Sequence, residues 1–363
     1  MTDAAPPRRR RIALMEGDGI GPELIESAVA VLDAVTAGCP GPAFEFRHER
    51  GGAAHFRRSG QALSPETLAR LRSAYDALLK GPVGLPDVRA PDGTEAGLLG
   101  GVLRPGLDTY ANIRPIKLLP GVPAPLRLSP GSVDYVIVRE NTEGLYASRQ
   151  GGARTAFAAS DSLLVTRTGV ERVAHRAFGL ARGRSGAPRD GVRRVTCVDK
   201  SNVLRSFALF RAVFDEVAAD YPDIEADHLY ADAAAQALVV EPDRFDVVVT
   251  ENFLGDILSD LGAGTVGGVG LCGSANVGDA HAYFEPLHGS APTIAGQDRA
   301  NPTSQILSAA MMLDHLGEHS GARAVRTAVE SAYADGAITL DAYGRPSCGT
   351  RGVTARVVER VRG

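Results

Sequence analysis

Arg11-Ile-Ala-Leu-Met-Glu-Gly-Asp-Gly-Ile-Gly-Pro22 decides the fold class of this chain. The apolar residues up to Met15 read as a short strand and Glu16 to Gly21 as a glycine turn. Pro22 then opens a helix with Leu24, Ala28, Val31, Leu32 and Val35 on one face. Strand, tight turn and amphipathic helix form the unit from which α/β proteins are built. Gly17, Gly19 and Gly21 lack the G-x-G-x-x-G spacing of dinucleotide-binding Rossmann domains. The turn is therefore either a close strand-to-helix connection or a phosphate cradle of another kind.

Outward from this unit, strands are expected at residues 77–79, 133–138, 194–198 and 245–249, with helical segments between several of them. Residues 118–131, rich in Pro and Gly, read as an irregular connection, and residues 151–159 as a projecting loop or arm. A chain of 363 residues can bury a substantial core and suggests two lobes. Its net charge of -4, with both signs interspersed, points to neither nucleic acid nor a membrane surface. No apolar stretch reaches membrane-spanning length and no signal-peptide pattern opens the chain, so a cytoplasmic protein is expected. The run Arg8 to Arg11 reads as a solvated lead-in to the first strand. Cys39, Cys197, Cys272 and Cys348 form no close pair, which predicts reduced, mostly packed thiols rather than a zinc cluster or disulfides.

Only Lys80, Lys117 and Lys200 occur, against 36 arginines. A lysine retained against such a bias is one whose chemistry arginine cannot perform, or a chance survivor, because only an ammonium loses its proton near neutral pH when desolvated. Lys200 draws attention because it ends a strand-like run and precedes Ser201-Asn202, where α/β proteins place reactive groups.

Asp256 and Asp260, four residues apart, fall on one helix face after the buried-strand run Val247-Val-Val249. Phe253, Leu254, Ile257, Leu258 and Leu261 surround them and leave little of the segment for solvent. Acids in such a setting need a partner, and a hard divalent cation such as Mg2+ or Mn2+ is a natural one. Asp232, in another apolar run, is a third candidate ligand. Arg104, Arg114 and Arg139 each stand in sparsely charged sequence. Converging, they would clamp carboxylates; singly, each is a structural ion pair. Tyr146 is a candidate proton donor or a packing residue. The small residues of His288-Gly-Ser-Ala-Pro-Thr293, with Asn301 beyond, form an ordinary turn or a place for a nucleotide to approach the backbone.

Taken together, EGDGIGPE, LRPGLDTYANIRP, VRENTEGLY, DKSN, NFLGDILSD, EPLHGSAP and ANPT resemble the β-decarboxylating dehydrogenases. These include the isopropylmalate, isocitrate, homoisocitrate and tartrate/D-malate enzymes. The resemblance runs from about Ile12 to Leu316. It implies a two-lobed, non-Rossmann α/β fold with the active site in a cleft between the lobes. The larger, cofactor-binding lobe would comprise residues 1–109 plus 267–363. Residues 110–266 would form the dimerisation lobe, with an arm near 147–165. It further implies a homodimer with shared active sites. Arg104, Arg114 and Arg139 would bind the malate carboxylates, and Tyr146 would protonate the enol. Asp256 and Asp260 would hold Mg2+ or Mn2+ with Asp232 from the other subunit, which would also supply Lys200 as the base. His288, Gly289, Ser290, Ala291, Pro292, Thr293 and Asn301 would meet the nicotinamide cofactor. A non-catalytic subunit of this fold would lose proton-transfer or metal residues, and all are present here.

Thr293-Ile294 replaces both the Asp typical of NAD-dependent members and the Lys-Tyr of NADP-dependent ones, so NAD is expected and NADP stays open. Gly100 and Gly101 fall where the family reads the C3 substituent of the substrate. The remaining segments lean toward homoisocitrate and tartrate/D-malate enzymes. Space at the selecting position also leaves an unusual substituent, such as phosphonomethyl, as an alternative.

Overall fold

The computed structural model of the protein describes residues 9–38, 43–91, 93–129, 131–150 and 152–363. Arg8, Cys39 and Gly151 lie outside them. In chain order the strands are β1 (Arg10–Met15), β2 (Phe44–His48), β3 (Ala77–Lys80), β4 (Ala111–Lys117), β5 (Asp134–Glu140), β6 (Ala153–Arg154), β7 (Ala159–Ser160), β8 (Arg194–Asp199), β9 (Glu225–Tyr230), β10 (Val247–Thr250), β11 (Gly273–Val277) and β12 (Ala282–Pro286). The helices are α1 (Gly21–Gly38), α2 (Ala53–Ser59), α3 (Pro65–Ser73), α4 (Gly100–Gly106), α5 (Arg167–Arg182), α6 (Arg205–Ala218), α7 (Ala231–Val240), α8 (Asn252–Thr265), α9 (Thr303–His315), α10 (His319–Ala334) and α11 (Gly349–Arg362).

Ten strands form one mixed sheet in the order β2-β1-β3-β12-β11-β4-β5-β10-β8-β9. The outer strands on each side run parallel, as right-handed β-α-β connections require, whereas β12-β11-β4-β5 at the centre alternate in direction. The seam between β4 and β11 is short, pairing Ala111, Asn112 and Ile113 with Val277, Asn276 and Ala275. β6 and β7 form a separate exposed hairpin where the sequence predicts an arm, with Phe157 bare at its turn.

Side chains alternate across a strand, so the sheet has two distinct faces. One face carries a continuous apolar layer, from Ile12 and Leu14 through Phe284, Val138 and Val249 to Cys197, covered by α1, α5, α6 and α9 to α11. On the other face the apolar layer is split. Ala13, Met15, Leu78 and Tyr283 pack against Leu99 and Leu103 of α4, while Ile116, Tyr135, Ile137 and Val248 pack against Leu258 of α8. Between the two patches this face carries Lys80, Glu285, Asn276, Asn112, Arg114 and Arg139, all buried or nearly so. That strip is the candidate site.

Two expectations about burial meet the structure here. Cys197 and Cys272 are buried free thiols and Cys348 is partly exposed. The α8 segment, by contrast, is not sealed from solvent: Ile257 is 52% and Phe253 36% exposed, so part of its apolar face is turned outward. Among the described residues, no helix is long and apolar enough to cross a membrane.

Candidate active site

Glu251 starts α8 by accepting hydrogen bonds from the backbone N–H groups of Phe253 and Leu254, which satisfies donors that a helix N-terminus leaves free. The helix then lies close over β5. A Cβ at Gly255 would come within 2.6 Å of the Arg139 side chain, so the glycine lets Arg139 pass beneath the helix. Helical spacing brings Asp256 and Asp260 over the polar strip.

The predicted residues meet there. Arg139 donates to both Asp256 Oδ1 and Asn252 Oδ1, and the Tyr146 hydroxyl donates to Asp256 Oδ2 at 2.8 Å. Arg114 Nη1 lies 3.5 Å from a carboxylate oxygen of both Asp256 and Asp260, and Arg114 is oriented by Ser259 Oγ at 2.6 Å and Asn112 Oδ1 at 2.5 Å. Arg104, from α4, reaches the same strip beside Tyr283 and Glu285, and its Nε is buried without a partner. Gly100 stands one turn before it; a Cβ there would sit 3.4 Å from the Arg104 Nε. Gly101 is exposed beside it at the start of α4.

The environment pushes the two aspartates apart. Burial works against ionisation of Asp256, but Arg139 and Arg114 outweigh it and hold its carboxyl below the ordinary range. At Asp260, which is only partly buried, loss of solvent still outweighs Arg114 and raises it. Burial, then the bond to Asp256, also raises the Tyr146 phenol, which keeps its proton. Burial, with Arg104 and Arg114 nearby, pulls Arg139 down to about 9, still cationic at neutral pH. The carboxylates of Asp256 and Asp260 face a common point, and oxygen donors of this kind fit Mg2+ or Mn2+.

Asp232 does not join that pair within one chain. It sits in the first turn of α7, where Lys200 Nζ donates to its Oδ1 at 2.5 Å, and no group of three His, Cys, Asp or Glu among the described residues is placed to hold a metal. Lys200 and Asp232 therefore form a second, more exposed cluster.

The glycine turn resolves toward packing. A Cβ at Gly17 would lie 2.1 Å from the Pro82 carbonyl oxygen and one at Gly19 2.0 Å from that of Ser290. Asp18, buried inside the turn, accepts from the N–H groups of Ala53, Ala54 and Gly84 at 2.8 to 2.9 Å. The turn thus props up the loop from His288 to Thr293. In that loop Ser290 Oγ donates to Gly84 O, and burial holds His288 below its usual value and neutral. Ala291 adopts φ 38°, Pro292 and Thr293 begin a short 3-10 turn, and Gly289 is exposed. Asn301 is turned inward to Tyr333 and the Thr303 N–H, so its side chain supports the loop's surroundings.

Sequence reasoning missed Lys80 and Glu285. Their ion pair, at 2.6 Å, is buried at the ends of β3 and β12, and Asn276 Nδ2 donates to the other Glu285 oxygen at 2.9 Å. The scarcity of lysine was a usable signal for Lys80; nothing local marked Glu285 or Asn276.

Comparison with known proteins gives this recessed strip of arginines and aspartates its class, an enzyme of dehydrogenase type. The chain belongs to the isocitrate/isopropylmalate dehydrogenase family, whose profile matches residues 11–361, and is a decarboxylating dehydrogenase of that family. It is 44% identical over 353 residues to the 3-isopropylmalate/3-methylmalate dehydrogenase of Methanocaldococcus jannaschii, covering 97% of this chain and 99% of that protein. It is 43% identical to the 3-isopropylmalate dehydrogenase of Mycobacterium tuberculosis over 330 residues, covering 88% and 93%. The crystal structure of isocitrate dehydrogenase from Methylococcus capsulatus superposes with a TM-score of 0.85 at 38% identity, over 98% of this chain and all of that one. These relatives carry isopropylmalate and isocitrate names, not the homoisocitrate or tartrate/D-malate names toward which several segments lean.

Proposed function

We propose that the protein oxidises a 3-substituted malate-type 2-hydroxy acid with NAD or NADP and releases CO2 from the β-carboxylate to give a 2-oxo acid. The observation that carries this reading is the convergence of Arg114, Arg139, Asp256, Asp260 and Tyr146 on one recessed strip, with Arg104 overhanging it. The three arginines hold the carboxylates and align C2 and C3 of the substrate. Lys200 takes the C2 hydroxyl proton, and Tyr146, protonated in its raised state, returns one to C3 after CO2 departs. When bound at Asp256 and Asp260, Mg2+ or Mn2+ would supply positive charge against the developing alkoxide and enolate, and a nicotinamide cofactor would supply the hydride acceptor.

Lys200 and Asp232 reach the strip from a second copy in this reading. Its support is their separation from the strip within one chain and the apolar surface beside them: Tyr230, Val240, Phe253 and Ile257 are all exposed. The lobes divide as residues 1–109 plus 267–363 and 110–266, so the short β4–β11 seam joins them.

On the substrate, 3-isopropylmalate is the first reading, supported by the names of the relatives. An unusual C3 substituent, such as phosphonomethyl, is the second reading, supported by the absence of a side chain at Gly100 and Gly101. Cofactor reduction with D-malate, tartrate, isopropylmalate, isocitrate, homoisocitrate and phosphonomethyl-malate, each with NAD and NADP plus Mn2+, tests both. Turnover confined to isopropylmalate sinks the second reading, and no turnover with any acid sinks the function.

A further inference from the structure

Among the described residues, three other than glycine adopt positive φ, and Asp108, at 49°, is one of them. It lies in the turn between α4 and β4, within the nine residues that separate Arg104 from Arg114. The turn is tightly drawn: the Thr109 N–H donates to the Arg104 carbonyl at 3.0 Å, and a Cβ at Gly278 would fall 2.2 Å from the Asp108 carbonyl oxygen. On the outer side, Arg172 of α5 grips the residue. Its Nη1 donates to both Asp108 carboxylate oxygens, at 2.9 and 2.8 Å, while its guanidinium stacks 4.4 Å over the ring of buried Tyr110. The Tyr110 hydroxyl in turn donates to Asp279, in the turn between β11 and β12, at 2.8 Å.

We propose that Arg172 is a positioning residue: by holding Asp108 in its left-handed conformation, it fixes the offset between Arg104 and Arg114 and so sets affinity for the substrate carboxylates. The inference rests on the reading of those two arginines as a carboxylate clamp. Glycine would adopt this backbone angle without strain, so an aspartate here is explained by what its carboxylate holds. Strained residues persist where their surroundings over-determine them, and such places cluster around functional sites. Stability is a poor alternative explanation. The Asp108 side chain is 63% exposed, and an ion pair so open to solvent adds little to the fold. Arg172 reaches both Asp108 oxygens through one nitrogen while its flat guanidinium lies on the Tyr110 ring, a stacking that a lysine ammonium does not reproduce.

The test uses the full-length protein and the malate-type acid it turns over fastest, with KM and kcat from cofactor reduction, calorimetric binding of that acid with Mn2+, and thermal unfolding. Arg172→Gln is expected to lower kcat/KM about 10- to 100-fold, mainly through KM, with matching loss of binding. Its Tm should move by no more than about 3 °C. Asp108→Gly should show a similar loss, and the double variant should add nothing to either single change. Arg172→Lys should recover only part of the affinity. Unchanged KM in Arg172→Gln, or losses that simply add in the double variant, overturn the proposal. Arg104→Gln separates the two levels: if it raises KM and Arg172→Gln does not, the positioning role alone fails; if neither moves KM, the clamp reading fails and takes this proposal with it.

Discussion

Arg139 and Asp256 are bound to each other across the space between a strand and a helix, with the guanidinium almost wholly sealed from solvent and the carboxylate only half-buried. Replacing Asp256 by Asn strands a buried cation, although the exposure of the aspartate and the bond to Asn252 soften the effect. Asp256→Asn should lose about 1–3 kcal/mol in urea unfolding and nearly all turnover. Wild-type stability in that variant contradicts the pairing.

Gly255 is the point at which α8 rides over Arg139. A methyl group there has nowhere to go, since the nearest atoms belong to a buried side chain in a packed site. Gly255→Ala should cost about 1–3 kcal/mol and displace Arg139, so that KM rises along with the loss of stability. A variant with normal KM would show that α8 can lift without moving the arginine.

Lys200 tests proton transfer. Arginine keeps the charge and the partner Asp232 but cannot give up a proton near neutral pH. Lys200→Arg should retain substrate affinity by calorimetry and lose kcat; near-normal turnover refutes its role as the base.

His288 gives the pH dependence of the fold. Burial lowers its folded value below the unfolded one of about 6.5, so the unfolded chain binds more protons as pH falls through that value. The contribution to stability is therefore full above about pH 6.5 and declines as pH falls toward the depressed folded value. Melting curves from pH 7.5 to 5 should fall more steeply for the wild type than for His288→Gln; parallel curves count against a half-buried, neutral His288.

The dimer reading makes Ile257 the most direct probe, since it is exposed on the same helix as Asp256 and Asp260. Ile257→Asp should halve the mass seen by light scattering and abolish turnover together. A variant that is monomeric yet active removes the need for Lys200 and Asp232 from a second copy.

Much of this was legible in the residues, and what was not has a physical reason. β1 and its glycine turn announce themselves by pattern, as do β5, β8 and β10, whose apolar runs are nearly continuous because both faces are covered. β4 and β11 do not. Asn112, Arg114 and Asn276 interrupt their patterns; Ser274 and Ser259 bond to the first two across the fold, and Glu285 bonds Asn276 from the partner strand of its hairpin, so no strand-length window explains these buried polar residues. β9 has no fully buried residue and reads as polar. The aspartate pair is visible as spacing, but its helix is not sealed: Asp260 is 58% exposed on its side chain, and its neighbour Ile257 faces outward. The six residues of the glycine turn look the same whether they cradle phosphate or brace another loop. Only the position of Ser290 tells them apart.

The near-absence of lysine has a practical side once the placement of Lys80 is known. With that amine buried against Glu285, only Lys117 and Lys200 offer side-chain amines to a mild acylating reagent. Lys117 lies at the far end of β4, tied to Glu330, whereas Lys200 belongs to the proposed chemistry. The protein therefore carries its own two-channel footprint: one label reports on the scaffold and the other on the reaction centre, with no mutation introduced.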